Sequence, residues 1–533
     1  QWSWLPDSDR VRRNQLMGRV HFIRGSPPRL SWRYGAPQSQ SVISHRILHL
    51  NEKLVMDLKK QAFLRDVGKE LFEENVAVFA GAGMSAGAGF VNWAELLRPI
   101  ANELGLDVDK ENDLVALAQF HCNDNANNRS QLNQRLIEEF SREAIETENH
   151  QILCRLPIRT YWTTNYDKII ENALDKSGKI ADVKYTKEHL STTKPKRDAV
   201  VYKMHGDVDH PNKAVLTKDD YERYHVKMDQ YLANLKGDLI SKTFIFIGFS
   251  FSDPNLDYIL SRVRVAYEGH QRRHYCFIRK VDRVDSEEDA DFEYRKRKQD
   301  FFVKDLERFN VKTILVDDFS EITELLRRLE KNYKAKTTFI SGAAHEYGQM
   351  DEQQALGFVY KLSRNLVSKG LRVVSGFGLG IGSSVISGVL EQTFTNPKAK
   401  IEDQLVLRPF PQSTEGGLPL ADLWTKYRED MINHAGIALF LFGNKYTEGK
   451  IVLSNGMREE YEIAKNKGLF LIPVGATGYM AEQLWKERNA EVQSDAGASS
   501  EMKQLFSKIG DSKATSEELI ESVTKIIKLV EGE

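Results

Sequence analysis

The chain has 533 residues, too many for one hydrophobic core, so several domains are expected. Hydrophobic residues make up 41%, charged residues 28%, and the formal net charge is -1, which excludes a general electrostatic attraction to nucleic acid or to anionic membranes. No apolar run approaches the ~18 residues that span a bilayer, and the three cysteines, Cys122, Cys154 and Cys276, provide neither a CxxC pair nor a four-cysteine zinc site, a pattern suited to a reducing cytosol.

The first 55 residues mix Arg, Ser, Pro and Trp without a helical or strand period and lack the apolar core of a signal peptide. We expect residues 1–55 to be a non-native or disordered extension, with the protein's own start near Met56. From there the pattern is legible. Asp57–Glu73 has Leu58, Phe63, Val67, Leu71 and Phe72 near a 3.6-residue spacing and is expected to be a helix. Asn75–Ala80 is a short buried strand that runs into a glycine-rich turn, Gly81–Gly89. Trp93–Leu104, Asp113–Cys122 and Arg129–Glu146 form a helical insertion. Strands follow at Thr160–Thr163, Ala199–Met204, Lys242–Ile247, His274–Arg279 and Val311–Val316. Helices at Pro254–Tyr267 and Ile322–Asn332 and a charge-dense segment, Arg283–Gln299, lie among the later strands.

The same grammar restarts near residue 335. Thr337–Ser341, Leu371–Ser375, Gly436–Phe442 and Leu469–Val474 read as strands. Gln353–Lys369, Ser384–Phe394, Met457–Lys467 and Ser516–Val530 read as helices. Strands and helices alternating in this way predict an α/β protein with two Rossmann-like parallel-sheet domains, the first carrying the helical insertion. The expected domains are 56–334 and 335–533.

Four segments, each at the C-terminal end of a predicted strand, carry the chemistry of the first domain. That is the edge where open α/β sheets bind ligands. In Gly81-Ala82-Gly83-Met84-Ser85, glycine lets the backbone approach a diphosphate and a helix N-terminus supplies amide donors; taken alone, such a turn is equally common as plain architecture. The others are Tyr161–Asp167, Lys203–Asp207 and Gly248–Asn255. Asn165 has donors and acceptors to hold water or ribose, and His205 can act as a base at neutral pH. Cleavage of a nicotinamide–ribose bond passes through an oxocarbenium-like transition state and has a good leaving group, so it needs no strong acid. The bland alternatives are that Asn165 only caps a helix near Asp167, and that Asp167 and Asp207 only order their loops. His121, His150, His225 and His274 are expected to be core or solvated residues, and Trp93 and Trp162 core residues.

In order and type, GAGxS, TxNxD, HG and GxS resemble the sirtuin superfamily over about residues 60–330, and the whole chain resembles the NADases of the Thoeris antiphage defence system. The resemblance implies catalysis by Asn165 and His205, with Gly81, Ala82, Gly83, Ser85, Asp167, Gly248 and Ser250 binding NAD as substrate and no metal required. The four-cysteine zinc module of sirtuin deacetylases is missing here, which puts deacylation in doubt and favours hydrolysis of NAD to nicotinamide and ADP-ribose.

Residues 337–533 resemble the SLOG group of ligand-binding domains through TFISGAA, VVSGFGLGIGSS, GIALFLFGNK and PVGATGY. The resemblance implies a site for a cyclic ADP-ribose isomer, made by a TIR-domain partner. Its expected residues are Gly376, Gly378 and Gly380 in the turn, Arg428 and Lys445 for phosphate, and Glu460 for ribose hydroxyls. Related phosphoribohydrolases use a PGGxGTxxE signature, whereas Leu453–Glu460 here lacks its paired glycines and threonine, so binding is favoured over catalysis. Arg428 could instead form an ordinary ion pair. The expected protein is a cytoplasmic bacterial NAD hydrolase gated by that signal. It is expected to be a homo-oligomer, a tetramer or a filament, that depletes NAD during phage infection without contacting nucleic acid or membrane. An NAD-dependent protein deacylase and a non-catalytic nucleotide sensor are the alternatives.

Overall fold

The structure is a computed structural model that describes residues 39–111, 113–251, 253–267, 270–411 and 419–532, with side chains described from residue 56 to 531. Residues 1–38 of the expected extension lie outside the described residues, and of 39–55 only the helical backbone is described. The helix that enters the fold is Ser39–Phe72, and Met56–Glu533 forms one compact unit.

Seven strands build the first sheet: β1 (Val76–Ala80), β2 (Thr160–Thr163), β3 (Ala181–Lys184), β4 (Ala199–Lys203), β5 (Thr243–Ile247), β6 (His274–Arg279) and β7 (Val311–Val316). Their order is β3-β4-β2-β1-β5-β6-β7, and every pairing is parallel. The central strands VAVFA and TFIFI are buried at every residue, because helices cover both faces. Phe63, Val67, Leu71, Leu325, Leu326 and Leu329 pack on one face; Trp162, Tyr231, Leu235, Phe246 and Ile259 fill the other.

The expected insertion is present as helices Trp93–Glu103, Leu114–Asp124 and Ser130–Phe140. The last is shorter than its sequence pattern and is followed by a separate helix, Glu148–Arg155. Leu96, Leu97, Ile100, Leu117, Leu132 and Leu136 form its core together with Tyr166, Ile169, Val208 and Leu216. The insertion is thereby packed onto the loops that follow β2 and β4.

The second sheet contains β8 (Thr337–Ala343), β9 (Arg372–Ser375), β10 (Leu405–Leu407), β11 (Ile437–Phe442) and, after a hairpin of β12 (Asn444–Thr447) and β13 (Lys450–Leu453), β14 (Phe470–Pro473). Its order is β10-β9-β8-β11-β14, again all parallel. The helix Ser320–Ala335 leads into β8 with only Lys336 between. Its Ile322, Leu325, Leu326 and Leu329 sit in the core of the first sheet. Its last turn meets the second half: Gly436 lies against the backbone of Lys334 and Ala335, and Lys336 pairs with Glu531 at 3.0 Å.

Candidate active site and sensor pocket

In the first sheet β4, β2, β1 and β5 are neighbours. The four motif segments leave the C-terminal ends of these adjacent strands, where the strand order reverses. Behind β1, Gly81 precedes a single helical turn, Ala82–Ala86. Gly83 donates its N–H to the Gly248 carbonyl at 2.9 Å. Gly248 has φ +63, and a Cβ there would run into the Met84 backbone. At this position glycine serves both a left-handed conformation and backbone-on-backbone contact between two ligand-edge loops.

Asn165 is buried, and its Nδ2 donates to the Gly81 carbonyl at 3.0 Å and to Ser85 Oγ at 2.9 Å. It joins the second segment to the first. The helix Ile169–Lys176 has no side-chain cap; Asp167, two residues before it, orders the entering turn, its Oδ1 accepting from the Ile169 amide at 3.0 Å. Asp167 Oδ2 and Asn255 Nδ2 are buried and have no hydrogen-bond partner among the described residues. Ser250 sits in the turn after β5, two residues beyond Gly248.

His205 is buried with its Nε2 3.0 Å from Asp253 Oδ2. The Tyr221 hydroxyl donates to the same carboxylate oxygen at 3.3 Å and lies 3.5 Å from His205 Nε2. Tyr221 stands in the first turn of the helix Lys218–Lys227, whose start is fixed by a capping box between Thr217 and Asp220. Burial opposes the Asp253 charge, yet His205 and the amides of Leu256 and Asn255 hold its carboxyl below the ordinary value.

Lys203, fully buried at the end of β4, lies beneath both segments. Its ammonium donates to the Asp167 carbonyl and to Asp207 Oδ2, each at 2.6 Å, and to the Tyr166 carbonyl at 3.1 Å; Glu171 is 3.1 Å away. Burial disfavours the ammonium, but Glu171 and Asp207 outweigh it and hold the group above the usual lysine value. Sequence reasoning placed Lys203 and Asp253 inside the motif segments but gave them no role, and it missed Tyr221. A lysine closing a strand reads as an exposed flank, and Asp-Pro-Asn reads as a helix start. Asp253 does have that second role, since its Oδ1 accepts from the Asn255 and Leu256 amides at 3.0 Å.

Of the histidines read as bland, His121, His150 and His274 are buried and His225 is exposed. Trp162 lies in the core, stacked on Tyr202, while Trp93 is half-buried with its ring edge toward Tyr221.

In the second half, the turn after β9 brings Gly376, Gly378 and Gly380 to the start of the helix Gly382–Phe394. Gly380 has φ +80 and packs on the Ala344 carbonyl, and Phe377 and Leu379 between them are exposed. Arg428, on the helix Leu420–Asn433, is only 8% exposed. Its guanidinium is 2.7 Å from Glu459 and 3.5 Å from Glu460, and it lies over the Phe410 ring. Glu460 accepts from the Ser341 hydroxyl at the end of β8. Burial pushes the Glu460 carboxyl up despite Ser341 and Arg428. Arg428 thus forms the ion pair weighed as its alternative reading, but as a buried rather than a surface residue. Lys445 is exposed on the β12–β13 hairpin, and no contact among the described residues joins it to Arg428 or Glu460.

The chain is 54% identical over 471 residues to the NAD(+) hydrolase ThsA of Bacillus cereus (strain MSX-D12), which covers 88% of this chain and 98% of that protein. It belongs to the ThsA family. A second ThsA relative, from Acinetobacter baumannii (strain 532279), is 47% identical over 87% of this chain and 97% of its own length. Within this ThsA-family chain, the SIR2-like domain family matches residues 159–302, and the Sir2- and TIR-associating SLOG family matches residues 321–530. A more distant relative, defense-associated sirtuin 2 of Bacillus subtilis, is 24% identical over 40% of this chain and 21% of that protein. Both ThsA matches include the Asn165 and Arg428 halves of the chain.

Proposed function

We propose that residues 56–334 hydrolyse NAD to nicotinamide and ADP-ribose, and that residues 335–533 bind a cyclic ADP-ribose isomer that switches this activity on. The observation that carries the first part is the bonding of Asn165 to Gly81 and Ser85 at the edge of four adjacent strands, with His205 one strand away. The diphosphate lies along the Gly81–Ser85 turn, with Ser85, Gly248 and Ser250 beside it, and Asp167 near the nicotinamide ribose. Asn165 orients ribose and water, and His205 takes a proton from a ribose hydroxyl. The C1′–N bond breaks with its electron pair leaving on nicotinamide; water adds at C1′ and releases a proton.

For the sensor, a buried arginine at a strand edge supports phosphate recognition, with Glu460 accepting ribose hydroxyls and Gly376, Gly378 and Gly380 lining the turn. Lys445 adds charge from the hairpin. Its signal comes from a TIR-domain partner, the assembly is a homo-oligomer, tetrameric or filamentous, and the outcome in a bacterial cytoplasm is NAD depletion that limits phage. The deciding measurement is nicotinamide release from NAD by the purified chain, with and without cyclic ADP-ribose isomers. Release that rises with one isomer, is lost in Asn165→Ala and His205→Ala, and loses only its stimulation in Arg428→Ala and Lys445→Ala is the expected result. No release under any condition overturns the catalytic reading; unaltered stimulation in both sensor variants moves the signal site elsewhere.

A further inference from the structure

Asp253 comes from the loop after β5 and His205 from the loop after β4, strands separated in the sheet by β2 and β1. Their side chains nevertheless meet in a buried pair, 6% and 7% exposed, at 3.0 Å. The carboxylate is not free to turn. Its Oδ1 is held by the Asn255 and Leu256 amides at the head of the helix Pro254–Tyr267, which leaves Oδ2 for the imidazole. Tyr221 donates to Oδ2 from a third element, with its ring edge-on to the histidine at 5.4 Å. The His205 carbonyl accepts from the Val215 amide at 2.9 Å, so the backbone is pinned as well. Asp253 and Tyr221 are the titratable groups facing the ring, and among the described residues Nδ1 has no hydrogen-bond partner.

We propose that Asp253 is a positioning residue for His205: it accepts the Nε2 proton, fixes the ring's tautomer and leaves Nδ1 as the base. This rests on the reading of His205 as the base in NAD hydrolysis. A ribose O–H bond breaks as an Nδ1–H bond forms. The resulting imidazolium is stabilised by a carboxylate already in place, in surroundings where the charge pair is weakly screened. As nicotinamide leaves, the ribose oxygen feeds electron density to the developing oxocarbenium centre, and the proton returns from Nδ1 after water has added. A carboxylate that orients an imidazole and stabilises its charged form is a recurring device in hydrolases.

The test uses the full chain, with NAD as substrate and cyclic ADP-ribose present, comparing Asp253→Asn, Asp253→Ser and His205→Ala. Asn and Ser both remain able to cap the helix. Asn presents an N–H donor to Nε2 and forces the proton onto Nδ1, whereas Ser is too short to reach the ring. Both should lower kcat by about 10²- to 10⁴-fold, with KM for NAD and melting temperature near wild type. Turnover within about threefold of wild type in both variants, or faster than wild type, overturns the proposal; so does a rate loss that comes only with a fallen melting temperature. If His205→Ala also turns over normally, the base reading fails with it. If His205→Ala is inactive while both Asp253 variants work, only the role of Asp253 is refuted.

Discussion

At the scale of single residues, Lys203 shows how much of this site lies below the side chains a substrate would meet. Its ammonium binds two carbonyls of the Asn165 loop and a carboxylate of the His205 loop. Removing the charge leaves the Asp207 and Glu171 carboxylates without the cation they share. Lys203→Met should therefore cost about 3–5 kcal/mol of folding stability, read as a lowered urea midpoint, and what folds should turn over poorly because two loops have lost their common anchor. An unchanged midpoint would show that the cation is dispensable. Asn165, His205, Arg428 and Glu460 were singled out in the sequence because each lies in a short run that resembles a known family, and their roles are those proposed above. Lys203, Tyr221 and Asp253 were not singled out, because their partners are brought to them by the sheet order.

Among the elements, the buried central strands were readable because helices on both faces demand an unbroken apolar run, as in VAVFA and TFIFI. The edges were not. β3 is ADVK and β10 is three residues long, so neither carries enough apolar signal to stand out from a loop. The hairpin around Lys445 and the helices Tyr479–Ser494 and Ser500–Lys508 were missed as well. One strand and one helix each carry a buried histidine that adds to the acid sensitivity of the fold. On β6, burial and the nearby Arg272 charge push His274 down to about 3, and its Nδ1 accepts from the Phe244 amide. On the helix Glu148–Arg155, burial pushes His150 down to about 4 against the pull of Glu146. Between these values and the unfolded value of 6.5, the unfolded chain binds more protons. Stability should be full above about pH 6.5 and fall as pH drops, by about 1.4 kcal/mol per pH unit for each histidine. Denaturant titrations from pH 7 to pH 4 should show a fall of this sign, made shallower in His274→Asn. A flat profile in the wild type would mean that neither histidine is buried neutral.

Across the whole molecule, two parallel sheets share a chain direction, a glycine-rich ligand edge and a single connecting helix, Ser320–Ala335. A boundary near residue 335 follows from the sequence, where one strand–helix series ends and another begins. The residue pattern does not reveal that the connecting helix belongs to both sides. Its Leu325, Leu326 and Leu329 are core residues of the first sheet, its Glu330 forms a two-pronged pair with Arg155 at 2.7 Å, and its final turn is the surface on which Gly436 rests. A C-terminal fragment cut at residue 321 should therefore carry a bare leucine face and self-associate in light scattering, more than one cut at residue 337; equal behaviour would mean that the leucine face is not needed by the first half. The same helix sets a rule for grafting. A foreign C-terminal domain fused to the first half inherits the leucine face as a fixed socket, and must supply a glycine-sized recess where Gly436 now stands. Interchangeability of such domains is limited by the fit of one helical turn, whatever they bind.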